Sequence, residues 1–209
     1  MSPRLVLATH NAHKLAELRA ILAVVPGLDP ADIVTAGDLG APEPVEDEVT
    51  FAGNALLKAR ALAHATGLPA VADDSGLAVD VLGGAPGIFS ARWAGRHGDD
   101  AANLTLLLAQ LADVPAEHRG AQFVCAAALV TPDGYEHVET GVLRGRLATT
   151  PRGTGGFGYD PVLVADRQPG RAAGGPLTCA ELTGAEKNAI SHRGQAFRAL
   201  APLIAARLS

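Results

Sequence analysis

The chain has 209 residues, a formal net charge of −5, 48% hydrophobic residues and 19% charged residues. This balance favours one globular domain over 1–209 and argues against a disordered chain, a nucleic-acid binder or a membrane-surface protein. No apolar run reaches the ~18 residues that a membrane span needs. The two cysteines, Cys125 and Cys179, are far apart. Such usage is typical of a reducing compartment, so we expect a cytoplasmic protein.

Hydrophobic periodicity predicts strands and helices that alternate along the first half of the chain. In chain order these are a strand at Leu5–Ala8, a helix from Asn11 to Val25, a loop with one short strand at 26–50, a helix at Phe51–Ala65, and strands at Ala70–Ala72 and Leu77–Val81. The apolar stretch at Leu5–Ala8 is too short for a signal peptide.

The second half continues this alternation. Its predicted elements are a helix capped by Asp99 or Asp100, a hairpin of Phe123–Val130 and Tyr135–Val142, a strand at Val162–Ala165, two short helices with capping-box spacing at Thr178/Glu181 and Thr183/Glu186, and a terminal helix from about Ser191. The interleaving predicts an α/β fold with a mixed central β-sheet and helices on both faces.

The first candidate site lies at the junction between the first strand and the first helix. Thr9, Asn11 and Lys14 supply polar and cationic groups there, and the N-terminus of a helix binds phosphate through its unpaired N–H groups. Asn11 alone could equally serve as a helix cap. His10 and His13 have the spacing of a metal pair but no third ligand beside them.

The second candidate site is acidic. Adjacent carboxylates at the end of a strand repel each other, and a divalent cation is a common reason for such a pair as Asp73-Asp74. The upstream run Glu46-Asp47-Glu48 offers further oxygen ligands. Lys58, on the helix between them, would orient a phosphate or pair with a carboxylate. A solvated acidic turn at 46–48 and an Asx turn at Asp73–Gly76 are the alternatives.

The third candidate site is the glycine-rich segment 153–160. It contains GxGxxG, but Pro161 and a strand follow where a dinucleotide fold requires a helix. Phe157 and Tyr159 suit stacking on a planar ligand, and Asp160 can accept N–H groups. A plain glycine turn is the alternative.

The fourth candidate site combines Lys187 with Ser191-His192-Arg193 at the start of the terminal helix. These side chains offer donors to a keto oxygen or a phosphate, or they cap the helix. A Ser-His-Asp hydrolase is disfavoured because the GxSxG elbow is absent.

Together these segments resemble the inosine triphosphate pyrophosphatase family. The resemblance is carried by VLATHNAHKLAEL, TFAGNALLKA, ADDSGLAVDVLGGAPGIFSARWAG, GTGGFGYDP and ELTGAEKNAISHRGQA, which follow the order of the family along nearly the whole chain. It implies two lobes around a nucleotide-binding cleft and hydrolysis of dITP, ITP and XTP to the monophosphate and pyrophosphate. It also implies Mg²⁺ as cofactor and a homodimer, for which the apolar loop Gly83–Trp93 is a plausible contact.

The resemblance assigns roles to individual residues. Asp74 is the proton acceptor and a metal ligand. Glu46 is the second metal ligand, with Asp47 and Glu48 as alternatives. Asp73 or Lys58 could share the role of base. The substrate-binding residues that it implies are Thr9, His10, Asn11, Ala12, His13, Lys14, Ser75, Phe157, Gly158, Tyr159, Asp160, Lys187, His192 and Arg193. A non-catalytic nucleotide sensor and a γ-phosphatase are the rival functions.

Overall fold

The structure is a computed structural model, and it describes residues 4–8, 18–19, 21–22, 28–41, 44–168 and 175–208. The β-strands of these residues are β1 Leu5–Leu7, β2 Ile33–Thr35, β3 Ala70–Val79, β4 Gly120–Val130, β5 Glu136–Leu147 and β6 Leu163–Ala165. Four α-helices lie wholly within the described residues: α1 Phe51–Thr66, α2 Asp100–Gln110, α3 Gly184–Ile190 and α4 His192–Leu208. Short 3₁₀ helices lie at Pro30–Asp32, Asp80–Leu82, Gly87–Arg92 and Ala116–His118.

The six strands form one sheet in the order β2-β1-β3-β4-β5-β6. β1 pairs in parallel with both β2 and β3, with Val6 opposite Val34 on one side and Ala70 on the other. β5 and β6 pair antiparallel, with Arg146 opposite Val164. The sheet is therefore mixed, which confirms the predicted α/β fold class.

Local capping explains where the helices begin and end. The Thr50 hydroxyl accepts a hydrogen bond from the Gly53 N–H at 3.0 Å, and α1 ends at Gly67, whose φ of 68° lies in the left-handed region that glycine adopts without strain. The Asp99 carboxylate caps α2, so the structure selects one of the two acids, Asp99 and Asp100, that the sequence offers. The capping box of Thr183 and Glu186 opens α3, also as predicted.

Two expectations about local structure are wrong. The Thr178/Glu181 spacing closes a turn rather than a helix, although the Glu181 carboxylate does accept from the Thr178 N–H at 2.8 Å. Residues 70–79 form one strand, not two strands separated by a polar turn. β3 pairs with β1 through Ala70 and Val71 and neighbours β4 on its other side, and pairing within a sheet overrides the turn propensity of Asp and Gly.

The predicted first helix falls almost entirely outside the described residues. Residues 18, 19, 21 and 22 are described and helical. The candidate site at Thr9–Lys14 lies wholly outside the described residues. Where the chain is described, none of its helices is long and apolar enough to cross a membrane.

The chain divides into two compact units, and the first comprises Met1–Asp74, Cys125–Gly141 and Arg193–Ser209. Alternation along β1 gives this unit a core on each face of its strands, because successive side chains of a strand point to opposite faces. Leu5 and Leu7 pack in one core with Phe197 of α4. Val6 packs in the other core with Ala55 and Ala59 of α1. Helices therefore cover both faces of the strands in this unit.

The second unit comprises Ser75–Val124 and Val142–His192. Its core joins Leu77 and Val79 of β3 to Leu107 of α2, Phe123 of β4 and Leu163 of β6. Both cysteines are buried thiols outside any disulfide, Cys125 in the first unit and Cys179 in the second.

Candidate active site

The two adjacent acids of β3 do not form a carboxylate pair. Asp73 and Asp74 lie in the middle of a continuous strand, so their side chains point to opposite faces. Both are buried, at 2% and 8% exposure. The prediction of repelling neighbours at the end of a strand is wrong for this geometric reason, and each acid has its own set of partners.

Asp74 faces helix α1, which supplies two of its partners. The Asn54 side-chain amide donates to Asp74 Oδ2 at 3.0 Å, and Lys58 Nζ lies 4.0 Å from Asp74 Oδ1. Positions 54 and 58 are one helical turn apart and share a face of α1. The helix therefore presents an amide to one carboxylate oxygen of Asp74 and an ammonium to the other.

Lys58 also reaches the acidic loop before α1. Its ammonium donates to Glu46 Oε1 at 2.5 Å, so the Glu46 and Asp74 carboxylates converge on one cation. The Glu46 side chain is partly buried, whereas Asp47 and Glu48 are exposed. This geometry favours Glu46 over its two neighbours as the partner of Asp74.

The pKa of Lys58 reflects two opposing influences. Burial, the larger single influence, disfavours the ammonium, but the negative charges of Asp73, Asp74 and Glu46 together outweigh it and raise the pKa above its ordinary value. Lys58 is therefore charged at neutral pH. A protonated amine has no lone pair with which to accept a proton, so the arrangement favours a carboxylate as the base.

The donor set at this point fits a hard divalent cation. Glu46 and Asp74 contribute carboxylate oxygens, the ligand type that Mg²⁺ prefers. Among the described residues, no group of three or more His, Cys, Asp or Glu side chains forms a ready-made metal cluster. Mg²⁺ usually takes one or two protein carboxylates and completes its shell with water and substrate phosphate, so these two carboxylates are compatible with that ion.

Asp73 has a different set of partners on the opposite face of β3. The Arg193 guanidinium lies with Nε 3.4 Å from Asp73 Oδ2, and both side chains are almost fully buried. The Cys125 thiol is 4.0 Å from the same oxygen. Arg193, expected in a nucleobase pocket, thus contacts the acid that faces away from Asp74; its role toward substrate stays a prediction.

In the second unit, the glycine-rich segment is organised around Asp160. Its Oδ2 accepts from the Phe157 backbone N–H at 2.8 Å and from Lys187 Nζ at 2.7 Å. Lys187 Nζ also lies 5.2 Å from the centroid of the Phe157 ring, within the range of a cation–π interaction. A Cβ at Gly156, where φ is 72°, would collide with the Asp160 carboxylate, so only glycine fits there. Three of the predicted pocket residues are therefore in mutual contact.

Two further contacts fix the same segment. The Gly158 N–H donates to Asp100 Oδ2 at 2.9 Å, and the Tyr159 hydroxyl donates to the Ser90 carbonyl at 2.9 Å. Burial, with a smaller contribution from Asp100, raises the pKa of Tyr159 well above its ordinary value, so its hydroxyl stays protonated as a donor. Sequence reasoning treated Asp100 only as a possible helix cap and did not select Ser90.

His192 and Ser75, two further predicted substrate contacts, lie on different elements. The buried His192 ring stacks on Phe123, with centroids 5.0 Å apart and planes inclined by 30°. Ser75 is half-buried on β3. Sequence reasoning missed Asn54, whose signal was a polar residue one helical turn before Lys58 on the same face of α1.

The chain is similar to known proteins along nearly its whole length. The family model described as the Ham1 family matches residues 5–203. A dITP/XTP pyrophosphatase of Streptomyces coelicolor is 67% identical over 202 residues, which are 96% of each chain.

Solved structures give a consistent result. A nucleoside-triphosphatase / dITP/XTP pyrophosphatase of Mycobacterium abscessus is 51% identical, with a TM-score of 0.75 over 96% of this chain and 98% of the other. A HAM1 protein of Coxiella burnetii is 38% identical, with a TM-score of 0.85 over 98% and 99% of the two chains.

Proposed function

The chain belongs to the Ham1 family, and we propose that it hydrolyses dITP, XTP and ITP to the nucleoside monophosphate and pyrophosphate. This reaction removes non-standard purines from the nucleotide pool. The single observation that carries the proposal is the buried Asp74, held between Asn54 and Lys58 with Glu46 on the same cation. A buried acid with these partners suits water activation beside a polyphosphate.

Asp74 acts as the proton acceptor in this proposal. Water attacks the α-phosphorus, the bond from that phosphorus to the bridging oxygen breaks, and pyrophosphate leaves with the electron pair. The proton of the attacking water passes to an Asp74 oxygen. The charged Lys58 ammonium opposes the negative charge that accumulates on the phosphate oxygens.

Glu46 and Asp74 are the residues that would hold Mg²⁺ in this proposal. When bound, the ion would neutralise phosphate charge and orient the leaving group. Lys58 already neutralises part of the charge of these two carboxylates. Its flexible side chain could swing toward a phosphate oxygen and leave both carboxylates to the ion.

Substrate recognition is assigned to two further groups of residues. Thr9, His10, Asn11, Ala12, His13 and Lys14 bind the triphosphate. Phe157 stacks on the base, Asp160 accepts from its N1–H group, and His192 or Arg193 donates toward the 6-keto oxygen. Lys187, Ser75, Gly158 and Tyr159 complete the contacts. The 6-amino group of adenine would set donor against donor, and such mismatches reject an analogue by roughly 10⁴-fold.

The proposal extends to a cytoplasmic homodimer that does not act on nucleic acid or membranes. The half-exposed Phe89, with the Arg92 guanidinium 5.4 Å from its ring centroid, supports the loop Gly83–Trp93 as the contact between copies.

The decisive experiment is to incubate the protein with ITP and Mg²⁺ and identify the product. Pyrophosphate is the expected product. Orthophosphate would indicate a γ-phosphatase, and the absence of turnover would favour a non-catalytic nucleotide sensor. Values of kcat/KM for ITP, XTP, dITP, GTP and ATP then test recognition of the 6-position, and equal values for ITP and ATP would refute it.

Asp74→Asn should abolish turnover while the fold is retained, because it removes the proton acceptor. The matched control is Asp113→Asn, an exposed acid that lies after α2. Activity of Asp74→Asn within about tenfold of wild type, about 1.36 kcal/mol of barrier, would remove Asp74 from the chemistry.

A further inference from the structure

We infer that Asn54 is a positioning residue of this site: it selects which oxygen of Asp74 faces the reacting groups, and it holds the loop that carries Glu46. The inference rests on the proposed function of Asp74 and Glu46. Asn54 itself does not touch the substrate in this view and acts through its two neighbours.

The contacts of Asn54 run in two directions. Its side-chain Nδ2 donates to Asp74 Oδ2 at 3.0 Å, and its Oδ1 accepts from the Glu48 backbone N–H at 3.1 Å. The residue is fully buried in α1. One end of the side chain must donate and the other must accept, and a carboxamide supplies both at this length.

The contact with Asp74 determines the orientation of that carboxylate. Because Asn54 engages Oδ2, the other oxygen, Oδ1, is the one that faces the Lys58 ammonium. Lys58 in turn contacts Glu46. Asn54 therefore directs Oδ1 of Asp74 toward the point where the two carboxylates converge, which is where a cation and the attacking water would be needed.

The contact with Glu48 fixes the acidic loop to the same helix. Glu48 is two residues from Glu46 in the acidic loop. The hydrogen bond from the Glu48 backbone to Asn54 therefore holds this loop close to α1, where the Glu46 side chain reaches Lys58. One buried side chain thus couples the positions of both predicted metal ligands. Residues that orient metal ligands in this way typically affect metal affinity or activity by about 10–100-fold.

Two variants separate this role from a purely structural one. Asn54→Ala removes both contacts. Asn54→Asp keeps an acceptor for the Glu48 N–H but opposes Asp74 with a second carboxylate. The matched control is Asn103→Ala, since Asn103 is also a buried helical asparagine, accepting from the Ala94 N–H at 2.7 Å and donating to the Ala91 carbonyl at 3.2 Å.

For Asn54→Ala we expect kcat for pyrophosphate release from ITP to fall about tenfold or more. The KM for ITP should change less than about threefold, which is well below the tenfold fall expected in kcat. The reason is that Asn54 makes no contact with the substrate in this proposal. Binding of Mg²⁺ to the substrate-free protein, measured by calorimetry, should weaken by a similar factor of about ten. Asn54→Asp should lose kcat as well, although its loop contact is retained. Asn103→Ala should lower the melting temperature but keep kcat and Mg²⁺ affinity within about twofold of wild type, well below the tenfold effect expected for Asn54→Ala.

The inference is overturned if the folded Asn54 variants keep kcat and Mg²⁺ affinity within about threefold of wild type, below the expected range. It is also overturned if Asn103→Ala reproduces their loss. Should Asn54→Ala fail to fold, Asn54→Asp carries the test alone. Failure of the proposed function is distinguishable, because wild-type protein would then release no pyrophosphate, whereas Mg²⁺ affinity would still report on Asn54.

Discussion

The ion pair of Asp160 and Lys187 offers a quantitative test of how the glycine-rich segment is held. The two charges are 2.7 Å apart, and their side chains are 4% and 10% exposed. Asp160→Asn would remove one charge and leave the Lys187 ammonium buried without that counter-ion. The new amide oxygen would still accept from the Phe157 N–H, which isolates the loss of charge from the loss of the backbone contact.

The expected magnitude follows from the burial of the pair. Breaking a buried ion pair by removing one partner typically costs ~3–5 kcal/mol. Because the hydrogen bond to Phe157 is retained, we expect the lower end, about 3 kcal/mol. For a chain of this size, each kcal/mol shifts the melting temperature by roughly 2–4 °C, so Tm should fall by about 6–12 °C.

The assay is urea unfolding and thermal melting of wild type, Asp160→Asn, and the double variant Asp160→Asn/Lys187→Met. The double variant should regain at least half of the lost free energy of unfolding, because a neutral pair leaves no buried charge uncompensated. Asp166→Asn, which changes an exposed acid just after β6, is the control. A loss below about 1 kcal/mol, or a double variant whose losses simply add, would refute the reasoning.

Two further predictions concern the second-unit core and the thiols. Tyr159→Phe removes the hydrogen bond to the Ser90 carbonyl, so urea unfolding should show a loss of about 1 kcal/mol; an unchanged midpoint would contradict this contact. Both cysteines should resist Ellman's reagent at pH 8 until urea is added, because they are buried. At Cys179, burial and then the charge of Asp160 raise the thiol pKa to about 12 against the opposing effect of Lys187, and rapid labelling of native protein would argue against that placement.

Much of the fold could be predicted because its determinants are local. The carboxylate of Asp99, the capping box of Thr183 and Glu186, and the glycine after α1 each satisfy helix ends within a few residues, and all lie where the sequence indicates. Apolar periodicity likewise located β1 and the terminal helix. One exception is β3, where Asp73–Gly76 resembles a turn and only pairing with distant strands makes it extended.

The sequence by itself determined which residue types the candidate site contains: the acidic run 46–48, the acid Asp74, the cation Lys58, and the aromatic and acidic residues of the glycine-rich segment. Only the tertiary structure decided their partners. Strand alternation separates Asp73 from Asp74, and burial brings Arg193 to one acid and Asn54 to the other. The reason is physical: residue chemistry is fixed by the chain, whereas a hydrogen bond between positions 20 or 120 residues apart exists only after the sheet has packed against its helices.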